Sequence, residues 1–173
     1  MIDRYTRPKM KAIWDLKRKY EIWLEVELQA CAAFERAGQA PRGTAAKIRK
    51  KAKIDVGRIA EIEKVTKHDI IAFLESLMDT VGPEHRFLHM GLTSSDIVDT
   101  SLALQMTEAM DLILDGVEEF LAVLKRQAFR YKTQAMVGRS HGIHGEPISF
   151  GFKLAIWHEE VGAVIRAKLL NDG

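Results

Sequence analysis

The chain has 173 residues, 47% of them apolar, which is enough for one packed domain or one plus part of another and too apolar for a disordered chain. Its 26 basic and 24 acidic side chains leave a net charge of +2, too balanced to indicate nucleic-acid binding by charge while still admitting an anionic small molecule. A single cysteine, Cys31, excludes an internal disulfide framework; no run of roughly 18 apolar residues occurs, so neither a secretory signal nor a membrane span is expected and the default location is the cytoplasm.

Near the N-terminus, Arg4, Tyr5 and Arg7 form either a loose tail or, with a planar guanidinium beside a phenol, a grip for phosphate. Tyr20, Trp23, Leu24, Leu28, Cys31 and Phe34 then fall three or four apart and predict a first helix, stopped by Gly38 and Pro41. Cys31 lies on the apolar face of that helix and is read as packed core. The basic stretch Lys47, Arg49, Lys50, Lys51 and Lys53 lacks interleaved aromatics and a wide apolar face, so it reads as a solvated surface. Asp55 can cap a helix burying Val56, Ile59, Ile62 and Val65. Asp69 can cap another burying Ile70, Phe73, Leu74, Leu77 and Met78, ending at Gly82 and Pro83.

From Ser95 to about Lys132 there is no proline and Gly116 is the only glycine, which predicts one helix of ~38 residues and ~57 Å. Its apolar residues, among them Ile97, Leu102, Met106, Leu112, Ile113, Phe120 and Leu124, cover more than one face and call for several neighbours. A last long helix runs from about Ile148 through Phe152, Ile156, Trp157, Val161 and Ile165. The expected fold is all-α: a small helical head over residues 1–93, then the first long helices of a central bundle over 94–173. Apolar stripes left bare by these helices are expected to be covered by other copies of the chain, by further sequence, or by both.

Three polar clusters stand where helices meet. Thr66, Lys67, His68 and Asp69 form a junction between two helices; His89 precedes the segment MGLTSSD; and GRSHGIHGEP, from Gly138 to Pro147, reads as a glycine-rich turn between two helices. In that reading Pro147 occupies the first turn of the following helix, and His141 and His144 sit at its mouth. Thr93, Ser94 and Ser95 offer hydroxyls and free amides at a helix N-terminus, which can clamp an anion or simply cap the helix. The HxxH spacing of His141 and His144 admits a metal, but no cysteine is near and a catalytic zinc needs a third ligand. Two structural histidines are the plain alternative. An unperturbed value near pH ~6.5 makes imidazoles in a glycine turn better suited to proton transfer. His85 and His158 lie in plain contexts and are read as surface.

Taken together, RYTRPKM at the start, TKHD at 66–69, HMGLTSSDIVDT at 89–100 and GRSHGIHGEP at 138–147 resemble the adenylosuccinate lyase branch of the fumarase/aspartase superfamily. The TSSD and GRSH elements are shared widely in the superfamily, whereas His144 followed by Glu146 and Pro147 resembles that branch. The resemblance implies release of fumarate from adenylosuccinate, giving AMP, and from the succinyl-carboxamide intermediate of purine synthesis, with no cofactor and no metal. It implies that Thr93 and Ser94 contact the succinyl portion and that Arg4 and Tyr5 hold the phosphate. Lys67, His68 and Asp69 would contact the nucleotide, with His89 beside the phosphate or substrate. His141 is implied as the general acid that protonates the departing nitrogen, with His68 as second choice. Lysine at position 67, often arginine in relatives, keeps the charge but not a bidentate contact. The family's serine-rich mobile loop, with its base, has no counterpart here, so an N-terminal portion of such a lyase is expected, poorly active alone, from a homotetramer whose clefts combine several subunits. Rival expectations are another lyase of the superfamily, a non-catalytic helical oligomerisation module, and a metal-dependent hydrolase using His141 and His144.

Overall fold

A computed structural model describes residues 2–171, so Met1 and residues 172–173, the outermost ends of the two expected domains, lie outside it. Seven α-helices account for most of these residues: α1 (Pro8–Ile13), α2 (Leu16–Arg36), α3 (Thr44–Lys51), α4 (Val56–Thr66), α5 (Asp69–Val81), α6 (Ser94–Arg130) and α7 (Phe150–Asn171). One two-stranded antiparallel sheet, β1 (Ala135–Ser140) with β2 (Ile143–Ser149), stands between the last two helices. The chain separates into two compact units, Met1–Ala109 and Met110–Gly173, with the continuous helix α6 contributing to both.

In the first unit the apolar spacing of α2 turns Tyr20, Trp23, Leu28 and Cys31 inward, against Ile48 of α3, Ile59 of α4, Phe73 and Leu77 of α5, and Ile97 of α6. Trp23, Ile59, Phe73 and Ile97 are completely enclosed; burying a side chain of this size contributes about 1.5–3 kcal/mol. Tyr20, Trp23 and Phe73 form an aromatic triangle with centroids 5.2–5.8 Å apart, two of its contacts edge-on. The indole N–H of Trp23 donates to Ser101 Oγ at 2.9 Å, and Gln105 donates to the Ile13 carbonyl at 2.7 Å, so α6 is polar-bonded as well as packed within this unit. Arg18 of α2 pairs with Glu108 of α6.

The expected Asp55 cap is present, and Asp15 adds a second at the start of α2. Asp15 accepts from Lys17 N–H, and Asp55 from Arg58 N–H, both at 2.9 Å. At α5 the expected cap moves by one residue. His68 occupies the N-cap with extended backbone, and Asp69 is the first helical residue.

In the second unit α6 and α7 meet through a close approach at Gly151: a Cβ there would fall 2.3 Å from the Ala128 carbonyl oxygen and 2.7 Å from the Lys132 backbone. Phe150 N–H donates to the Gln134 carbonyl, and Tyr131 packs on Phe150 at 5.3 Å. Leu114, Leu124 and Leu154 are buried, whereas Met110, Ile113, Phe120, Phe129, Phe152, Ile156 and Trp157 are exposed. No described helix is long and apolar enough to cross a membrane.

The segment Gly138–Pro147, expected as a turn leading directly into a helix, is the hairpin instead. Pro147 lies in β2 opposite Val137, not in the first turn of α7. Both strands are edges, so the missing amide hydrogen of a proline costs no ladder bond that a neighbour requires.

Candidate active site

The hairpin fixes His141. Ser140 pairs with Ile143, leaving His141 and Gly142 as a two-residue loop with φ of 53° and 79°. Positive φ at both positions is the type I′ geometry whose twist matches antiparallel strands. His141 therefore projects from a hairpin tip, where it is exposed. Histidine pays a modest steric cost at positive φ, while Gly142 pays none. His144 lies in β2 opposite Arg139, one step from the tip and also exposed.

The remaining sequence-derived residues belong to the first unit. Arg4 and Tyr5 sit on a short 3-10 turn, the guanidinium 4.7 Å from the phenol centroid, and Tyr5 is 72% exposed. The pair is open to solvent, as a phosphate grip requires, and a cation over a ring face holds the guanidinium in place without using its hydrogen-bond donors.

Lys67 ends α4 in the left-handed region, φ 52°, with its N–H donated to the Glu63 carbonyl. That reversal turns the chain into α5. His68 Nδ1 accepts from Ile71 N–H at 3.4 Å, and Thr66 Oγ1 bridges the His68 backbone at 3.2 and 3.4 Å. With Nδ1 accepting, the neutral ring carries its proton on Nε2. Asp69 accepts from Ile70 N–H at 2.8 Å and lies 3.7 Å from His68 Nδ1, so a protonated ring can exchange its capping contact for an ion pair. Lys67, His68 and Asp69 thus form one local constellation of a cation, a titratable donor and a carboxylate.

His89 opens the loop that leads to α6. Its φ of 57° lies in the left-handed region, at a cost of about 1–2 kcal/mol for a residue with a Cβ. Glu27 of α2 holds it there: His89 N–H donates to Glu27 Oε2 at 2.6 Å, and His89 Nδ1 lies 2.7 Å from Oε1. Further along, Gly91 at φ 69° brings its backbone against the Phe34 ring. Thr93 N–H donates to Asp96 Oδ2 at 2.7 Å, and Asp96 N–H to the Thr93 carbonyl at 3.0 Å, so a carboxylate caps α6 from inside the helix. One amide that an anion clamp would use is therefore taken. Among the described residues the Thr93 and Ser94 hydroxyls make no hydrogen bond within the chain, so neither is consumed as a cap, and both are available as donors.

Glu27 is the residue that sequence reasoning passed over. The signal was present: position 27 falls on the same stripe as Tyr20, Trp23, Leu24 and Cys31, and a carboxylate on an apolar stripe needs donors from another element. Cys31, by contrast, is buried as expected, and that burial pushes its thiol up, away from the reactive thiolate. His85 is not free surface, since its Nε2 is bonded at 2.8 Å to the Leu74 carbonyl. Among the described residues no three His, Cys, Asp or Glu side chains gather in a way that could hold a metal ion.

The sequence matches a protein-family model described as "Lyase" over residues 3–166. It is 44% identical over 161 residues to adenylosuccinate lyase of Bacillus subtilis strain 168, covering 93% of this chain and 37% of that protein. It is 45% identical over 164 residues to adenylosuccinate lyase of Aquifex aeolicus strain VF5, with 93% and 38% covered. The chain thus spans under two fifths of the length of these relatives. Among solved structures, a fumarate lyase from Mesorhizobium sp. BNC1 superposes with a TM-score of 0.84 at 26% identity, covering 90% of this chain and 37% of that one. The match of the family model over residues 3–166, nearly all of the chain, places it in the lyase family.

Proposed function

We propose that the chain is part of a cytoplasmic, homo-oligomeric adenylosuccinate lyase of purine nucleotide synthesis, releasing fumarate from adenylosuccinate to give AMP and from the succinyl-carboxamide intermediate. The observation that carries this reading is the 44–45% identity to adenylosuccinate lyases across 93% of the chain. The geometry of the polar clusters supports it.

The reaction asks for a particular set of groups. A proton leaves the succinyl carbon beside a carboxylate, and its electron pair moves into that carboxylate to give an aci-carboxylate dianion. The pair then returns to form the carbon–carbon double bond of fumarate, the carbon–nitrogen bond breaks, and the departing nitrogen takes a proton. Donors already in place must meet the extra negative charge. The unused hydroxyls of Thr93 and Ser94 are assigned to the succinyl carboxylates, and Arg4 with Tyr5 to the phosphate. Lys67, His68 and Asp69 are assigned to the nucleotide, with His89 beside its phosphate. His141 is the general acid for the leaving nitrogen: an exposed imidazole at the tip of a two-residue loop is free to enter a cleft completed by other chains. His68, with its neutral-ring proton on Nε2, is the second choice. The base for the first proton is not assigned within these residues. The family reading implies no cofactor, and the elimination is redox-neutral.

AMP binding by the 173-residue chain tests the reading. Titration calorimetry is expected to show binding that weakens about tenfold or more in Arg4→Ala and in Ser94→Ala, a loss of ~1.4 kcal/mol for each factor of ten. No binding, or binding indifferent to both changes, contradicts the site assignment. Turnover by this chain alone is expected to be slow or absent, and full activity would overturn the expectation that other subunits or further sequence complete the cleft.

A further inference from the structure

The Glu27 side chain is 1% exposed, and both its oxygens are met by one residue, His89. The backbone N–H can only donate, so Oε2 is an acceptor at 2.6 Å, and Oε1 lies 2.7 Å from the ring Nδ1. A carboxylate accepting at Oε1 requires the hydrogen of the imidazole to be on Nδ1. The His89 side chain is 22% exposed, so part of it reaches solvent.

Stability alone does not explain such a pair. Replacing a buried ionic pair by well-packed apolar groups is commonly neutral or favourable, so what the pair contributes here is an orientation. The loop from His89 to Thr93 is anchored on α2 twice, by Glu27 at its start and by Phe34 against Gly91. It delivers the chain directly to the hydroxyls of Thr93 and Ser94. A ring fixed at the head of this loop is fixed relative to those donors.

We propose that Glu27 is the positioning residue of His89: its carboxylate keeps the ring hydrogen on Nδ1 and holds the left-handed backbone, so that Nε2 is the single ring nitrogen that can meet a ligand, an anionic oxygen such as phosphate. The ligand half of this statement rests on the functional reading above; the ring orientation does not. In the neutral ring Nε2 offers a lone pair. On protonation it gains an outward N–H toward an anion while Nδ1–H stays with Glu27. His68 is arranged the other way, with Nδ1 accepting and Nε2 carrying the hydrogen. The two site histidines are thereby set in opposite tautomers by their partners.

Long-range 15N–1H correlation spectra of the histidine rings in the 173-residue chain, recorded at alkaline pH where histidines are in general neutral, test the proposal. His89 is expected in the Nδ1–H form. In Glu27→Gln a single amide oxygen remains and the amide nitrogen faces the other donor. With that oxygen on the His89 backbone N–H, the ring must turn to the Nε2–H form, while the other five of the 6 histidines keep their signals. A wild-type His89 in the Nε2–H form overturns the proposal even if the variant does not fold, and so does a folded Glu27→Gln protein in which His89 stays in the Nδ1–H form. An AMP titration separates the two layers. An affinity changed about tenfold in Glu27→Gln supports both, whereas a flipped tautomer with unchanged affinity, or no AMP binding by the wild type, removes His89 from the nucleotide site and leaves Glu27 as its positioning residue.

Discussion

Between Met1 and Ala109 the apolar stripes of six helices close on one another, and Trp23, Phe73, Ile59 and Ile97 are fully enclosed. Between Met110 and Gly173 only a few of the described side chains, Leu114, Leu124 and Leu154 among them, are buried, while Phe120, Phe129, Phe152 and Trp157 face outward. The first unit is held by its own core. The second is held by backbone closeness at Gly151 and by hairpin bonding, and its large apolar side chains are left for something else to cover.

That contrast can be broken most severely at Trp23. Trp23→Ala empties one corner of the aromatic triangle and removes the bond to Ser101, and is expected to cost ~3–5 kcal/mol in denaturant unfolding. A loss below ~1 kcal/mol would mean that the first unit has no such core. Gly151→Ala attacks the second unit by another route, since the new Cβ would overlap the Ala128 carbonyl oxygen. A cost of about 1–3 kcal/mol is expected, read as faster hydrogen exchange across residues 128–151. Unchanged exchange there contradicts the close approach.

A smaller, graded effect is expected from pH. Lys51 beside Glu84, the Ala45 and Gly43 amides on Glu35, and Arg49 beside Glu25 each hold a carboxyl below its ordinary value. Carboxyls lowered by folding contribute stability that is complete above their unfolded value of ~4.3 and is lost as pH falls through the folded one. The denaturant midpoint of the first unit should therefore fall progressively below about pH 5, and less so in Glu84→Gln. A midpoint flat in acid would mean that these pairs do not survive in solution. The smallest change in chain stability, within ~0.5 kcal/mol, is expected for Phe129→Lys and Phe152→Glu, because both side chains are exposed. Light scattering should nonetheless show weaker self-association. Strong destabilisation without any change in association would mean that these faces pack within the chain.

Much of this architecture can be read from residue spacing. Helix α6 was legible because only Gly116 interrupts a proline-free run, and it spans Ser94–Arg130 against an expectation of Ser95 to about Lys132. The Asp55 cap was legible for the same local reason. The hairpin was not. Three glycines and a register shift between Val137 and Arg139 break the two-residue alternation that marks a strand, and Pro147 suggests a helix start as readily as an edge strand. His68 and Asp69 both suit an N-cap, and which one takes it is set by the left-handed Lys67 before them. At the site, the residue types near helix ends were visible in the sequence, but the Glu27–His89 pair joins positions 62 residues apart and needs the packing of α2 to be seen.

In the proposed function the hairpin tip presents His141 as the proton donor to the leaving nitrogen. The most direct measurement is the rate of fumarate release from adenylosuccinate by active protein carrying this sequence, as wild type and as His141→Ala. The account predicts a fall in kcat of about 10²–10⁴ with AMP affinity retained, since general acid catalysis contributes on that order. A His141→Ala protein with unchanged kcat would contradict it.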